Sequence, residues 1–168
     1  NKINGSPTQW DSQIYSKIGY KSKCYIKFKA LLRTARFMVG LSINPQTSTH
    51  FNFMNYGMYL RHNATTAIFE GGTFISNYNN YNWGDIFEVV YDGSTIKYYH
   101  NYKLIRNVFY TLPSDGSLFY FNSLHYEVDN NVYEIIEFSD RIRQTNNINI
   151  EINYNDLIFT IQKNSVEY

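Results

Sequence analysis

From Asn77 to Trp83 the chain reads Asn-Tyr-Asn-Asn-Tyr-Asn-Trp, three aromatic rings interleaved with planar amides. Tyr78, Tyr81 and Trp83 offer flat apolar faces, while Asn79, Asn80 and Asn82 offer both hydrogen-bond donors and acceptors. That combination suits a ligand with an apolar C–H face and a rim of hydroxyls, held by ring contact and amide bonds. Asp85 and Arg61 are the charged residues best placed to complete such a contact. A structural reading competes for the same side chains: Trp83 and Tyr81 would cap a hydrophobic core while the asparagines solvate a turn.

Other chemistries find no footing in the sequence. Glu127-Val128-Asp129 sets two acids at alternate positions, but no further acid follows at that step and the turn residues Asn130-Asn131 do. A retaining glycosidase needs its two carboxyl groups held about 5–5.5 Å apart, so no catalytic residue is assigned and the chain reads as a non-enzyme. His50, His62, His100 and His125 lack the paired spacing of a zinc site. Asp115, Asp129, Asp140 and Asp156 are too dispersed for a calcium loop. No metal and no cofactor are expected. The single cysteine, Cys24, excludes an internal disulfide and lies in an apolar stretch, so it reads as a buried thiol.

Charge narrows the partners further. The formal net charge is +1, and Lys17, Lys21, Lys23, Lys27 and Lys29 are interleaved with strand residues rather than gathered into a stripe. Nucleic acid is therefore not an expected partner. No apolar run approaches the ~20 residues of a membrane span, so membrane insertion is not expected. The first residue is Asn1, and the chain reads as a piece of a longer protein.

The elements that must position these residues are strands. Apolar and polar residues alternate on both sides of Asp92-Gly93, the pattern of a hairpin with a tight turn. A second turn is expected over His100–Lys103. Further strands are expected at about Gln13–Ile18, Cys24–Ala30, Phe37–Ile43, Tyr56–His62, Ala67–Glu70, Ile86–Tyr91, Ile96–His100, Leu104–Tyr110, Leu118–Phe121 and Val132–Phe138. Gly19, Asn44-Pro45, Gly57, Gly71-Gly72 and Ser114-Asp115-Gly116 punctuate them. Gly40 and Gly57 mark close backbone approaches within strands. Tyr56 and Tyr59 fall on opposite faces of one strand. Asn77–Trp83 has no period and reads as a loop. Glu70, beside two glycines, is expected to accept backbone hydrogen bonds, and Trp10 to close one end of the core. At 168 residues, 43% of them hydrophobic and 18% aromatic, the chain suits one antiparallel all-β sandwich. Its limits are drawn at 1–139, with an alternating segment at 140–168 that completes the sandwich or links to the rest of a longer protein.

The segments Cys24–Lys29, Phe37–Ser42 with Asn44-Pro45, Asn55–Leu60, Ile68–Gly72, Gly84–Ile86 and Tyr91–Gly93 with Lys97–Asn101 together resemble the concanavalin A-like sandwich, the jelly roll of lectins, laminin-G and SPRY domains. The resemblance runs from Trp10 to Ser139 as scattered matches. Members of that group have Asn-Gly where this chain has Asn101-Tyr102. Galectins place His-x-Asn-x-Arg on one strand, and Arg61-His62-Asn63 has those residue types in another order, so that site is not transferred. What the resemblance implies is a non-catalytic carbohydrate-binding module, as found in phage tail fibres and viral attachment or spike proteins. Its partners would be host-surface glycans, its location the virion surface or extracellular space, and its parent assembly a homotrimer. The glycan contacts would be Tyr78, Tyr81, Trp83, Asn80, Asn82, Asp85 and Arg61. Two alternatives stand beside it: a SPRY-like domain that reads a protein or peptide, and a structural knob without a ligand.

Overall fold

The computed structural model describes residues 10, 12–45, 50–126 and 133–140, together with the backbone of 148–153 and 158–163. The described residues form thirteen strands: β1 Ser12–Tyr20, β2 Cys24–Ala30, β3 Phe37–Ser42, β4 Tyr56–Leu60, β5 Thr65–Glu70, β6 Thr73–Asn80, β7 Ile86–Tyr91, β8 Thr95–His100, β9 Lys103–Phe109, β10 Phe119–His125, β11 Tyr133–Ser139, β12 Ile148–Asn153 and β13 Ile158–Lys163. The helical content of the described residues is a single 3₁₀ turn, Phe51–Phe53. One antiparallel sheet has six strands in the order β1-β10-β3-β4-β5-β6, and a second has five in the order β11-β2-β7-β8-β9. The last two strands pair with each other in a sheet of their own. The expected acids Glu127 and Asp129 lie outside the described residues.

The two large sheets stack over one core. β7 alternates strictly, with Phe87, Val89 and Tyr91 buried and Ile86, Glu88 and Val90 half-buried, as a strand covered mainly on one face must. Phe28, Phe37, Val39, Leu41, Met58, Leu60 and Tyr98 join them. Each such side chain contributes about 1.5–3 kcal/mol on leaving water. Met38 alternates with Phe37 and Val39, so it faces the other side of the six-stranded sheet. There it packs in a second cluster with Met54, Ala67, Phe69 and Leu124, covered by Trp10, Phe51 and Tyr59. Trp10 thus lies on this outer cluster, edge-on to Tyr59 and Tyr126, rather than closing the main core.

The first hairpin forms as expected. Gly93 takes φ +103 and Asp92 Oδ1 accepts from the amides of Ser94 and Thr95 at 3.0 and 2.8 Å. The second turn is the two-residue loop Asn101-Tyr102, both at positive φ (48° and 66°), the geometry of a type I′ turn. Tyr102 is an unusual residue there, and Lys27 Nζ sits 4.4 Å from its ring centroid. Gly40 is required by packing: a Cβ there would stand 2.0 Å from the Tyr56 carbonyl oxygen.

Three expectations need correction. The first four residues of the expected loop Asn77–Trp83 belong to strand β6; β6 is the polar edge of its sheet and its pairing with β5 shifts register twice, which erases any alternation. Gly19 is no turn: it lies inside β1, where a Cβ would meet Leu118 and Tyr120 at 2.8 Å. Glu70 accepts from the Arg106 guanidinium of the facing sheet rather than from backbone amides.

Candidate functional site: a guanidinium held on the outer sheet face

Register across β4, β5 and β6 places Tyr59 opposite Ala67 and Ala67 opposite Asn77. All three face outward with the second cluster, and Arg61 follows Tyr59 two residues on, to the same side. Its guanidinium carbon lies 5.2 Å from the Tyr59 ring centroid and 5.5 Å from that of Phe74. Nη1 donates to Asn77 Oδ1 at 2.7 Å. Those contacts hold a planar, permanently charged group in one orientation, with further N–H donors unspent. Because Asn77 spends its oxygen on Arg61, its amide nitrogen remains as a donor beside the same surface. Phe74 is 46% exposed, and Tyr59 is buttressed edge-on by Trp10 and Phe69 at 5.4 and 5.9 Å. The exposed Phe74 ring, a fixed guanidinium and an amide thus lie together on this surface, beside the half-buried Tyr59 ring.

The seven residues expected from sequence do not form one site. Tyr81 is 0% exposed, and its hydroxyl donates toward the carbonyl oxygens of Leu32 and Arg61 at 3.2 and 3.3 Å. It is a core residue and cannot serve as a platform; burial pushes its phenol up to about 12. Tyr78 is half-buried against the main core, so its ring also turns inward. Asn80 is exposed at the end of edge strand β6, opposite Thr65.

Trp83 has the opposite fate from Tyr81. Asp85 N donates to Asn82 O at 3.2 Å and Gly84 takes φ +88, the signature of a type II turn with Trp83 at its apex. The indole is 71% exposed, so it does not cap the sandwich. Asp85 is committed to holding this region together. It accepts from Asn82 N and His100 Nε2 at 2.8 Å and from Asn101 Nδ2 at 2.9 Å. Burial works to raise its pKa, but the bonds from Asn101, Asn82 and His100 outweigh that and leave the carboxyl below its ordinary value. Arg61 and Asp85 therefore have separate partners: the first belongs to the sheet face, the second to the loop end.

Sequence reasoning missed Tyr59, Phe74 and Asn77 as neighbours of Arg61. Arg61 and Asn77 are joined only through the pairing of three strands, one of which gave no periodic signal. Among the described residues, no group of three or more His, Cys, Asp or Glu is placed to hold a metal.

No family model matches the sequence, and no curated protein matches it. Solved structures do match. The SPRY domain of human HERC1 superposes with a TM-score of 0.56 at 15% identity, covering 82% of this chain and 87% of that domain. The carbohydrate recognition domain of Emp46p, in a potassium-bound form, gives 0.50 at 11% identity, covering 79% and 78%. The chain has a concanavalin A-like fold. This sandwich also overlays part of a sialidase at a TM-score of 0.49 and 14% identity, where 73% of the chain spans only 12% of that protein. At these identities the likeness concerns the fold, so function must come from the surface just described.

Proposed function

We propose that the protein is a non-catalytic carbohydrate-binding module whose contact surface is the outer face of β4 and β6. The observation that carries the reading is the Arg61 guanidinium held between Tyr59 and Phe74 by Asn77. A pyranose offers an apolar face to such rings and hydroxyl oxygens to such donors, and no covalent step is required. The lectin-like fold supports the reading, since Emp46p carries a domain described as one for carbohydrate recognition. The resemblance of the sequence to attachment modules extends the proposal: a domain of a viral or phage spike or fibre, displayed outside the virion, that binds host-surface glycans. A single shallow site binds weakly, and a homotrimeric parent would multiply it.

The test is a glycan array read with the wild-type domain and with Arg61→Ala. Binding to defined glycans that falls at least about tenfold in the variant, roughly the effect of one charged hydrogen-bonding group, supports the site. Undiminished binding by the variant removes it.

A second reading rests on a different observation. Trp83 and Tyr102 are 71% and 68% exposed on neighbouring turns, at the loop end of a sandwich that also superposes on a SPRY domain. Exposed Trp and Tyr anchors suit a peptide ligand. Silence on the glycan array together with peptide binding abolished by Trp83→Ala would favour this reading over the first.

A further inference from the structure

At the other end of β4 from Arg61 a cleft of about 370 Å³ opens between Ile43, Asn44, Asn52, Phe53, Asn55 and Gly71. These residues come from the end of β3, the 3₁₀ turn, the start of β4 and the β5–β6 turn. The walls are tied to one another. Asn55 Oδ1 accepts from Ile43 N at 2.9 Å, and the Asn55 carbonyl accepts from Gly71 N at 2.7 Å. Gly72 N donates to Met54 O at 3.0 Å, and a Cβ at Gly72 would stand 2.1 Å from the Asn52 carbonyl oxygen. Only glycine lets the β5–β6 turn lie that close to the 3₁₀ turn.

A buried polar chain supports the cleft from behind. Gln13 Nε2 donates to Asn122 Oδ1 at 2.8 Å, Asn122 Nδ2 donates to Ser42 Oγ at 2.9 Å, and Ser42 Oγ donates to the Phe53 carbonyl at 3.4 Å. Asn122 and Ser42 are fully buried. This chain fixes the turn that presents Phe53, whose ring is 48% exposed. Because Asn55 Oδ1 is spent on Ile43, the amide nitrogen is the part of that side chain left to donate.

We infer that this cleft is a second saccharide subsite, one that takes a neutral, hydroxyl-bearing ring. None of the six described residues that line it is charged, and such a lining offers a neutral ring better partners than it offers phosphate, sulfate or an acidic sugar. Asn52 and the Asn55 amide nitrogen bring polar contacts, and Phe53 brings a ring face. This differs from the Arg61 surface, where a fixed positive charge favours an electronegative substituent. The two places are separated by the length of β4, about 20 Å for the six-residue step from Asn55 to Arg61. One monosaccharide reaches only one of them, whereas a linked oligosaccharide lying along the strand reaches both. The ligand class rests on the carbohydrate reading proposed above, but the site does not depend on Arg61.

The test is a titration of ¹⁵N-labelled protein, followed by amide chemical shifts, with D-glucose, D-galactose, N-acetylglucosamine and its linear tetramer. The expected result is movement of the Asn52, Phe53, Asn55 and Gly71 resonances, retained in Arg61→Ala. Phe53→Ala weakens that response about three- to tenfold, the contribution of one ring contact, without shifting the thermal midpoint. Movement confined to Phe74 and Asn77 and lost in Arg61→Ala leaves the carbohydrate module standing and overturns the cleft. Movement at the cleft alone supports the subsite and removes the Arg61 surface. No movement with any of the four sugars overturns the cleft, and array binding by the same preparation then tells whether the wider reading survives.

Discussion

Arg106 on β9 reaches from one sheet to the other and grips Glu70 on β5 through two parallel bonds, Nε to Oε1 and Nη2 to Oε2, both 2.7 Å. The side chains are 27% and 13% exposed, so the pair is only partly screened by water. It ties the two stacked sheets on the side where β6 and β9 are edge strands. The Arg106 pKa rises further, first through the Glu70 bond. Burial, with Glu70 next, raises that of Tyr98 beside it.

Glu70→Gln breaks the charge match while keeping the shape. An exposed pair contributes up to about 1 kcal/mol and a fully buried one costs about 3–5 kcal/mol to break, so a loss of about 2 kcal/mol is expected. Urea denaturation checks it: the midpoint falls with an unchanged slope. Arg106→Lys loses most of the same amount, because an ammonium cannot supply the parallel fork. A change below about 0.5 kcal/mol in both variants would contradict a structural role for the pair.

Asp92 gives the fold a pH dependence of defined sign. Its carboxylate accepts from Ser94 N, Thr95 N, Thr95 Oγ1 and Lys97 Nζ, the last two at 2.7 and 2.8 Å. Burial pushes its pKa up, but the bonds from Lys97, Thr95 and Ser94 outweigh burial and hold it well below the ordinary carboxylate range. A folded-state pKa below the unfolded value of about 3.9 means stabilisation that is complete above that value and lost as pH falls through the folded one. Asp85 acts in the same direction. Lys97 is raised by its bond to Asp92, so its contribution is complete below about pH 10 and disappears as pH climbs past its folded value. Thermal melts between about pH 6 and about pH 2 should show a falling midpoint, and Asp92→Asn should flatten that fall. Identical acid limbs in the two proteins would sink the assignment.

Tyr81 and Trp83 lie two residues apart and should respond oppositely. Tyr81→Phe removes the donor to the Leu32 carbonyl, while the Arg61 carbonyl keeps Ala64 N at 2.9 Å, and costs about 1 kcal/mol of stability. Trp83→Ala removes an exposed ring and changes stability by less than about 0.5 kcal/mol. Chemical denaturation of both variants separates the roles; equal losses would mean the Trp83 ring is packed.

The strands read most clearly from sequence were those with one buried face, such as β7, where Phe87, Val89 and Tyr91 alternate with less buried neighbours. β6 was missed for a physical reason. As an edge strand it buries little, and two register shifts with β5 put Asn77, Tyr78 and Asn80 out of a two-residue rhythm. Reading that stretch as a loop merged residues with unrelated surroundings into one supposed binding rim: Tyr81 in the core, Tyr78 against it, Trp83 in solvent. Arg61 was picked out as a charged partner for the Asn77–Trp83 stretch, but its structural companions were hidden, because Asn77 meets it only through strand pairing. Of the cleft residues, Asn44 was read as a turn former beside Pro45, Asn55 only as the start of a resemblance segment and Asn52 not at all, since nothing local tells a solvating asparagine from one that lines a cavity.

The most direct test of the carbohydrate reading is a crystal structure of the domain grown with its best-binding oligosaccharide from the array. The expected density is a sugar ring against Tyr59 and Phe74 with a hydroxyl or acidic oxygen within hydrogen-bond reach of the Arg61 guanidinium. A fully occupied ligand seated only at the Trp83 turn, with the Arg61 face bare, would contradict it.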